Sequence, residues 1–472
     1  MKRQETASGI EHDTLMEEAV FLRIHELQNG LVQLTDATTA YRLVTKFGDD
    51  IRYIAPWKKW IVWNNAYWET DIGGALIHTR GLEIVRNIYC EIAKTADYRE
   101  RIEIEKYAIK SESTRQRENF VRAARYIPEL NATVDDLDRD PWLLNVENGT
   151  VDLRTGELLS HRQEDKITKI ANVKFDRNAD CPKWKQFIRE IMGYKGDLIA
   201  FLQTAAGWAI SGDISEQSMF ILYGTGANGK STFLNVIMRI LGDYAITTHA
   251  ETFMKRNNDA LTNDIARLRG TRFVITTESE QGRRLSEHLI KQATGNDQMT
   301  ARFLYGEHFN FTPTFKIFMA SNHKPVIKGT DHGIWRRIKL IPFTTTITEE
   351  NMDKHLEQKL LEEKSGILNW LIEGLLRWKK EGLNTPSIVL NATDEYRGEM
   401  DVIGNFIRER CVQKEGAMIQ ARELFRVYQE WCEENNEIAT SERLFGLRMK
   451  ELGMAQKRTS EARYWQDLAV QG

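Results

Sequence analysis

The chain has 472 residues, about three times an ordinary domain of roughly 150, so two to four globular units are expected. Hydrophobic residues make up 41% and charged residues 28%, which excludes a disordered or fibrous chain. With 65 Lys and Arg against 68 Asp and Glu the net charge is −3, so any surface for a polyanion must be local rather than a property of the whole chain. Cys90, Cys181, Cys411 and Cys432 lie apart, with no Cys-x-x-Cys pair, which excludes a zinc ribbon or a disulfide framework and fits a reducing compartment. The amino terminus is polar, and no run approaches the roughly eighteen apolar residues of a bilayer span. A cytoplasmic protein, in a bacterial host cell, and no membrane partner are expected.

Residues 1–40 carry a helical pattern that begins polar. From Tyr53 to Trp68 aromatic and β-branched residues crowd together around Asn64-Asn65, the composition of a small β-hairpin. Trp57, Trp60, Trp63 and Trp68 are side chains that can stack on bases, but a small aromatic core is the simpler expectation. Gly81 to Tyr126 reads as helical, and its 8 Lys/Arg and 6 Asp/Glu between Asp97 and Tyr126 suit solvated helix faces. Trp142 to Leu158 returns to short strands punctuated by Asn148-Gly149 and Thr155-Gly156 turns. Trp184 to Ile210 reads as an amphipathic helical collar.

Met219 to Phe343 alternates apolar β-type runs with helical ones, the pattern of a parallel α/β sheet. A helical region follows from Asn351 to Lys380, where Leu356, Leu360, Ile367, Leu368, Trp370 and Leu371 can form an apolar stripe. Gly382 to Pro386 reads as a linker, and the last seventy or so residues, from Val402, show two helical patterns and a basic stretch. The expected blocks are an α+β region over 1–140, a preceding domain and collar over 141–214, an ATPase core over 215–345, a helical region and linker over 346–400 and a terminal domain over 401–472.

The chemistry concentrates in the third block. The apolar run 219–223 leads directly into Gly224-Thr225-Gly226-Ala227-Asn228-Gly229-Lys230-Ser231-Thr232 and then a helical pattern, which is a Walker A loop in its proper context. Its glycines let successive backbone N–H groups turn inward around a phosphate, while the following helix points its positive end at the same spot. Lys230 is expected to reach the β and γ phosphates of ATP and the Ser231 hydroxyl to ligate Mg2+. By itself the loop does not separate motor ATPases from P-loop kinases or GTPases.

Further on, the strand-like run 272–277 precedes Glu278 and Glu280. Carboxylates at such a strand end hold the magnesium shell and orient the attacking water. Glu278 is the candidate metal ligand, although either glutamate suits either task. The run 315–321 ends in Asn322, whose amide suits a sensor of the γ phosphate, or else simply turns the chain before Lys324-Pro325. Arg336-Arg337 then precedes the apolar run 338–343.

Taken together, the Gly-rich loop, the Glu278-Ser279-Glu280 strand end, TGNDQMTARFLYGEHFNFTPTFK, the strand ending ASNHKP and GIWRRIKLIPF resemble superfamily 3 helicases. Within them the chain is most similar to the phage and plasmid primase family related to the poxvirus primase-helicase. WLLNVENGTVDL also resembles that family's domain before the helicase. One departure is that Ser279 separates the two acids, which many members place side by side.

The resemblance implies an α/β, AAA+-like core with an α+β domain before it and a small winged-helix-type domain after it. It further implies a homo-oligomer, a hexameric ring, that couples ATP hydrolysis to movement on single-stranded and forked DNA. Arg336 or Arg337 would be the finger offered to a neighbouring subunit's nucleotide. TARFLYGEHFNF would be a DNA-gripping hairpin with Tyr305 to His308 at its tip, and Arg302, Tyr305, His308 and Lys316 are the DNA-contact candidates. The 10 Lys/Arg and 4 Asp/Glu between Gln281 and Ile341 agree with a phosphate-lined channel. Between Arg443 and Arg463 stand 6 Lys/Arg and 2 Asp/Glu, which suit either DNA contact or a plain solvated surface.

The first 140 residues show no paired-acid primase signature or zinc cluster, so primer synthesis is not expected. The leading expectation is an ATP-dependent helicase that replicates phage, prophage or plasmid DNA with host or phage replication proteins. The alternative is an ATP-dependent replication initiator or loader that leaves unwinding to another protein.

Overall fold

The computed structural model describes residues 34–255, 263–277, 282–304, 306–329, 331–460 and 462–471. The chain divides into two units, Met1–Asp176 with Leu241–Tyr244, and Arg177–Ile240 with Ala245–Gly472.

Most of the helical pattern expected over 1–40 lies outside the described residues; among those described, the first unit opens on the helix Asp36–Phe47, which Thr35 starts with a capping box. A four-stranded sheet follows, built from β1 (Ile51–Ile54), β2 (Lys59–Trp63), β3 (Trp68–Thr70) and β4 (Asn131–Ala132) in the order β3-β2-β1-β4. The β2–β3 hairpin turns at Asn64-Asn65, where Asn65 takes φ +74 and the Asn64 side chain accepts from the Ala66 and Tyr67 amides. Trp60, Trp63 and Trp68 are buried, so these rings form the aromatic core and are not a stacking surface.

Between β3 and β4 lie the helices Ala75–Lys94, Tyr98–Ser111 and Thr114–Ala124. The Asp71 carboxylate accepts from the Leu76 and Ile77 amides at 3.0 Å each, while Asp97 and Ser113 cap the other two helices. A meander of β5 (Leu143–Val146), β6 (Gly149–Asp152) and β7 (Glu157–Leu159) completes the unit, with Gly149 at φ +156 and Gly156 at φ +76 in its turns. The expected 140/141 boundary falls inside this unit.

The second unit begins with the helices Pro182–Ile191 and Gly196–Ala209. The expectation of an amphipathic stretch holds for the first alone. The helix Gly196–Ala209 has Leu198 and every residue from Phe201 to Ala209 buried, because it lies between the sheet and the helix Lys364–Glu381. These two helices approach to backbone contact at Gly207 and Gly374, where a Cβ would meet backbone atoms at 2.3 and 2.1 Å.

The sheet is wholly parallel: β8 (Met219–Tyr223), β9 (Ala245–His249), β10 (Phe273–Thr277), β13 (Lys316–Ser321) and β14 (Ile338–Pro342) stand in the order β14-β8-β13-β10-β9. β11 (Met299–Arg302) and β12 (His308–Phe311) form a separate antiparallel hairpin. Period-two alternation sorts the residues of β8 and β13 between the sheet's faces. Phe220, Phe273 and Phe318 stack with centroids 4.4–4.7 Å apart beneath the helix Gly196–Ala209, while Met219, Ile221, Ile317, Met319 and Leu340 share the core of Trp335 and Tyr396.

The helix Lys364–Glu381 buries Ile367, Leu368, Trp370 and Leu371 as its stripe predicts, and Gly382 at φ +68 starts the expected connection to the helix Ser387–Met400. The terminal residues contain three helices, Val402–Arg410, Ala421–Glu434 and Glu442–Glu451, where two were expected. They pack on an antiparallel sheet of β15 (Cys411–Gln420), β16 (Gln456–Arg458) and β17 (Arg463–Val470) in the order β15-β17-β16. Among the described residues no helix is long and apolar enough to cross a membrane.

Candidate functional site

The loop 224–229 leaves the end of β8 and enters the helix Lys230–Leu241. Gly226 at φ +116, Ala227 at φ +47 and Gly229 at φ +79 turn its backbone through the left-handed region. A Cβ on Gly224 would meet the Phe343 carbonyl at 2.4 Å, and one on Gly229 would meet Ile191 Cγ2 at 2.5 Å. The loop is therefore pressed against β14's end on one side and the collar helix on the other. Asn228 Nδ2 donates to the Phe343 carbonyl at 3.2 Å, and the Ile347 amide to the Ala227 carbonyl at 2.7 Å.

Lys230 is 6% exposed. Its Nζ donates to the Gly224 carbonyl at 2.8 Å, to Asn228 Oδ1 at 2.6 Å and to Asn322 Oδ1 at 3.2 Å. A residue predicted 92 positions away thus joins the loop directly, because β8 and β13 are neighbours and end together. Ser231 is exposed in the first helical turn and Thr232 half-buried, while Thr225 is exposed. Glu278 and Glu280 follow β10 in a segment outside the described residues. For Mg2+, a serine hydroxyl with a carboxylate is the hard-oxygen donor set that this ion takes, so the candidates Ser231 and Glu278 fit it.

The two arginines are unlike. Arg337 is 8% exposed, and donates through Nε to Thr294 Oγ1 at 3.1 Å and through its Nη atoms to the Gly333 carbonyl at 2.6 Å and Gln217 Oε1 at 3.1 Å. Burial, and the Arg336 guanidinium beside it, lower its pKa. Arg336 is exposed and its Nη2 donates to the same Gln217 Oε1 at 2.5 Å.

In the hairpin Arg302 faces His308, and Thr300 donates to Asn310 Oδ1 at 2.8 Å. Arg302 and His308 are exposed, whereas Met299, Ala301 and Phe311 face the core. His308 opens β12 instead of standing at the turn, and Tyr305 lies outside the described residues. Phe303 stacks on Phe309 at 5.5 Å and Leu304 is 71% exposed.

Lys316 does not belong with these residues. It opens β13, is 1% exposed, and its Nζ donates to the carbonyls of Ser211, of Asp213 at 3.0 Å and of Thr314 at 3.5 Å, with Trp208's ring 5.0 Å away. Burial first, and the Arg272 guanidinium second, hold its pKa well below the ordinary lysine value. Buried against the carbonyls of the loop that follows the helix Gly196–Ala209, it cannot meet a DNA strand, and it satisfies acceptors of that loop instead. Sequence inspection overlooked Gln217, a polar residue in a loop with no motif around it.

Three family models match successive parts of the chain: D5 N terminal like over residues 40–193, a family of unknown function over 222–337, and Poxvirus D5 protein-like over 398–465. The first and last of these segments are thus similar to D5 proteins. A protein of Acanthamoeba polyphaga mimivirus named a putative helicase is 30% identical to this D5-like chain over 325 residues, 64% of this chain and 34% of that protein. One of African swine fever virus named a putative primase is 25% identical over 68% of this chain and 36% of its own length. A putative helicase of Frog virus 3 is 23% identical over 67% and 41%. The D5-like chain thus spans roughly a third to two-fifths of these relatives. Among solved structures, the apo C-terminal region of NrS-1 aligns with a TM-score of 0.48 at 10% identity, over 92% of this chain and 100% of that one.

Proposed function

We propose that this D5-like chain is a superfamily 3 DNA helicase, an ATP hydrolase that drives translocation on single-stranded DNA and unwinding of the duplex ahead. The observation that carries the reading is the buried Lys230 ammonium, held by Gly224, Asn228 and Asn322 where two neighbouring parallel strands end. A cation so enclosed, beside a helix N-terminus and inward-turning glycines, serves a triphosphate better than any structural need at a strand end.

In this reading Lys230 exchanges its carbonyl and amide acceptors for β and γ phosphate oxygens, and the Asn322 amide turns to the γ phosphate or the attacking water. Glu278 and Glu280 share water activation and the metal shell. Ser231 and Glu278 would hold magnesium, which would supply charge neutralisation of the phosphates. Arg336, exposed in front of β14, is the better of the two finger candidates, because Arg337's donors are engaged within its own subunit. The finger acts in trans in a homo-oligomer, which we take to be a hexamer of AAA+-like cores; the parallel sheet with its phosphate loop at the end of β8 supports that reading.

Arg302 and His308 present their exposed hairpin face to the DNA backbone. We read the last domain as a winged helix, with Arg443 and Lys450 of the helix Glu442–Glu451 and Lys457, Arg458 and Arg463 of the β16–β17 hairpin exposed towards a duplex. The setting implied by the sequence resemblance is replication of a phage, prophage or plasmid genome; the named relatives are viral.

The test is strand displacement on 3′- and 5′-tailed duplexes with and without ATP, for the wild type and Lys230→Ala. We expect ATP-dependent displacement that the substitution abolishes in a protein that still folds and unfolds cooperatively. ATP turnover without strand separation would instead assign the protein to initiators and loaders.

A further inference from the structure

Gln217 stands two residues before β8, in the left-handed region at φ +49. Few non-glycine residues accept that conformation unless their surroundings enforce it. Here one side-chain oxygen, Gln217 Oε1, accepts from Arg336 Nη2 at 2.5 Å and from Arg337 Nη2 at 3.1 Å. Arg337 is itself immobilised by Thr294 and the Gly333 carbonyl, and its own carbonyl accepts from the Met219 amide, the first of β8, at 2.7 Å. Next to Gln217, the Glu216 carboxylate accepts from Trp378 Nε1 at 2.8 Å and the Leu383 amide at 3.2 Å, which fixes the turn from the other side. An exposed arginine has five donors and a long stem, and free in solution it would sample many rotamers. Holding it against an acceptor shared with a buried arginine removes most of that freedom before any partner arrives.

The position matters as much as the contact. β8 and β14 are paired in parallel, and both run from the arginine pair to the phosphate loop: β8 passes into Gly224, and Phe343, just past β14, accepts from the Asn228 side chain. At ~3.3 Å per residue the two ends are roughly 20 Å apart. A strand pair within a packed sheet is a stiff connection, so a change in the loop at one end has a direct route to the turn carrying Gln217 at the other.

We propose that Gln217 is the positioning residue of the arginine finger, holding the exposed Arg336 in one pose and linking that pose to the subunit's own phosphate loop through β8 and β14. This rests on the finger reading proposed above. Gln217 stands at the end of β8 opposite the phosphate loop, so it acts through Arg336.

The test compares Gln217→Leu, which removes the shared acceptor, with Gln217→Glu, which keeps an acceptor oxygen, each alone and combined with Arg336→Ala. The readout is single-turnover and steady-state ATP cleavage with saturating single-stranded DNA. Gln217→Leu should lower kcat on the order of tenfold, about 1.4 kcal/mol of transition-state stabilisation, with KM for ATP within about twofold. Gln217→Glu should stay within about threefold of the wild type, and in the Arg336→Ala background Gln217→Leu should add less than about twofold. An equal loss in both backgrounds, an unchanged kcat, or a loss confined to KM and thermal stability would overturn the proposal. Mixing Arg336→Ala with Lys230→Ala subunits tests the finger separately: recovered turnover supports action in trans. No recovery together with a non-additive Gln217–Arg336 pair rejects action in trans but keeps the tether, while additivity rejects the tether whatever the mixing gives.

Discussion

Replacing Lys316 with Met keeps the aliphatic stem and removes one buried ammonium. The Ser211 and Asp213 carbonyls then lose this donor just past the helix Gly196–Ala209. A buried acceptor left unsatisfied costs about 1–3 kcal/mol, and part of that returns because a charge no longer has to be desolvated. We expect a net loss of about 2–4 kcal/mol, which in a unit of this size lowers Tm by roughly 4–16 °C. Lysine also links stability to pH here. Its folded pKa lies well below the ordinary value, chiefly through burial, whereas the unfolded chain binds the proton with a pKa of about 10.4. Between the two values the unfolded state holds more protons, so stability rises with pH and the advantage of the wild type over Lys316→Met grows towards about pH 10.4. Thermal melts from about pH 8 to about pH 10, with anisotropy of labelled single-stranded DNA below both transitions, check both statements. An unchanged Tm with weakened DNA binding would return Lys316 to the nucleic-acid surface and refute the reasoning.

Gly229→Ala must carry a Cβ 2.5 Å from Ile191 Cγ2 at φ +79, whereas Gly226→Ala at φ +116 meets nothing within 4 Å. The first should cost about 2–4 kcal/mol and the second only the left-handed penalty of about 1–2 kcal/mol, read from denaturant midpoints, while both weaken binding of a fluorescent ATP analogue. Arg337→Met loses three hydrogen bonds and should destabilise by about 2–4 kcal/mol. Arg336→Ala should stay within about 0.5 kcal/mol of the wild type in urea unfolding yet lose nearly all ATP turnover. Arg302→Ala should flatten the salt dependence of single-stranded DNA affinity by about 0.7 in log–log slope, one phosphate contact; an unchanged slope places Arg302 off the DNA path.

What could be read beforehand follows from how local each signal is. Glycines and a lysine announce the strand–loop–helix turn at 219–241 within nine residues, and the Asn64-Asn65 turn and the 299–311 hairpin are equally short-range. Lys316 was misread because a charge opening an apolar strand looks like a solvent-facing end, and its partners stand more than 100 residues earlier. Adjacent arginines look alike in sequence; only the packing of Thr294 and Gly333 around one of them separates a structural group from an exposed one. The helix Gly196–Ala209 read as half-exposed because the second surface covering it, the helix Lys364–Glu381, comes some 160 residues later.

The proposed phosphate loop shows why such long-range packing bears on chemistry. Gly229 rests on Phe187 and Ile191, and Trp184 of the same helix stacks on Phe233, in the helix that the loop feeds, with centroids 5.7 Å apart. Trp184 also meets Trp370 edge-on at 5.5 Å, and Glu363, just before the helix Lys364–Glu381, accepts from the Lys183 and Trp184 amides. A loop with three residues at φ angles of +47 to +116 is held by few hydrogen bonds of its own backbone. Its rigidity has to come from outside. Here an aromatic cluster drawn from residues 184, 187, 233 and 370 supplies it, so the collar and the helix Lys364–Glu381 act as the loop's backing rather than as spacers between domains.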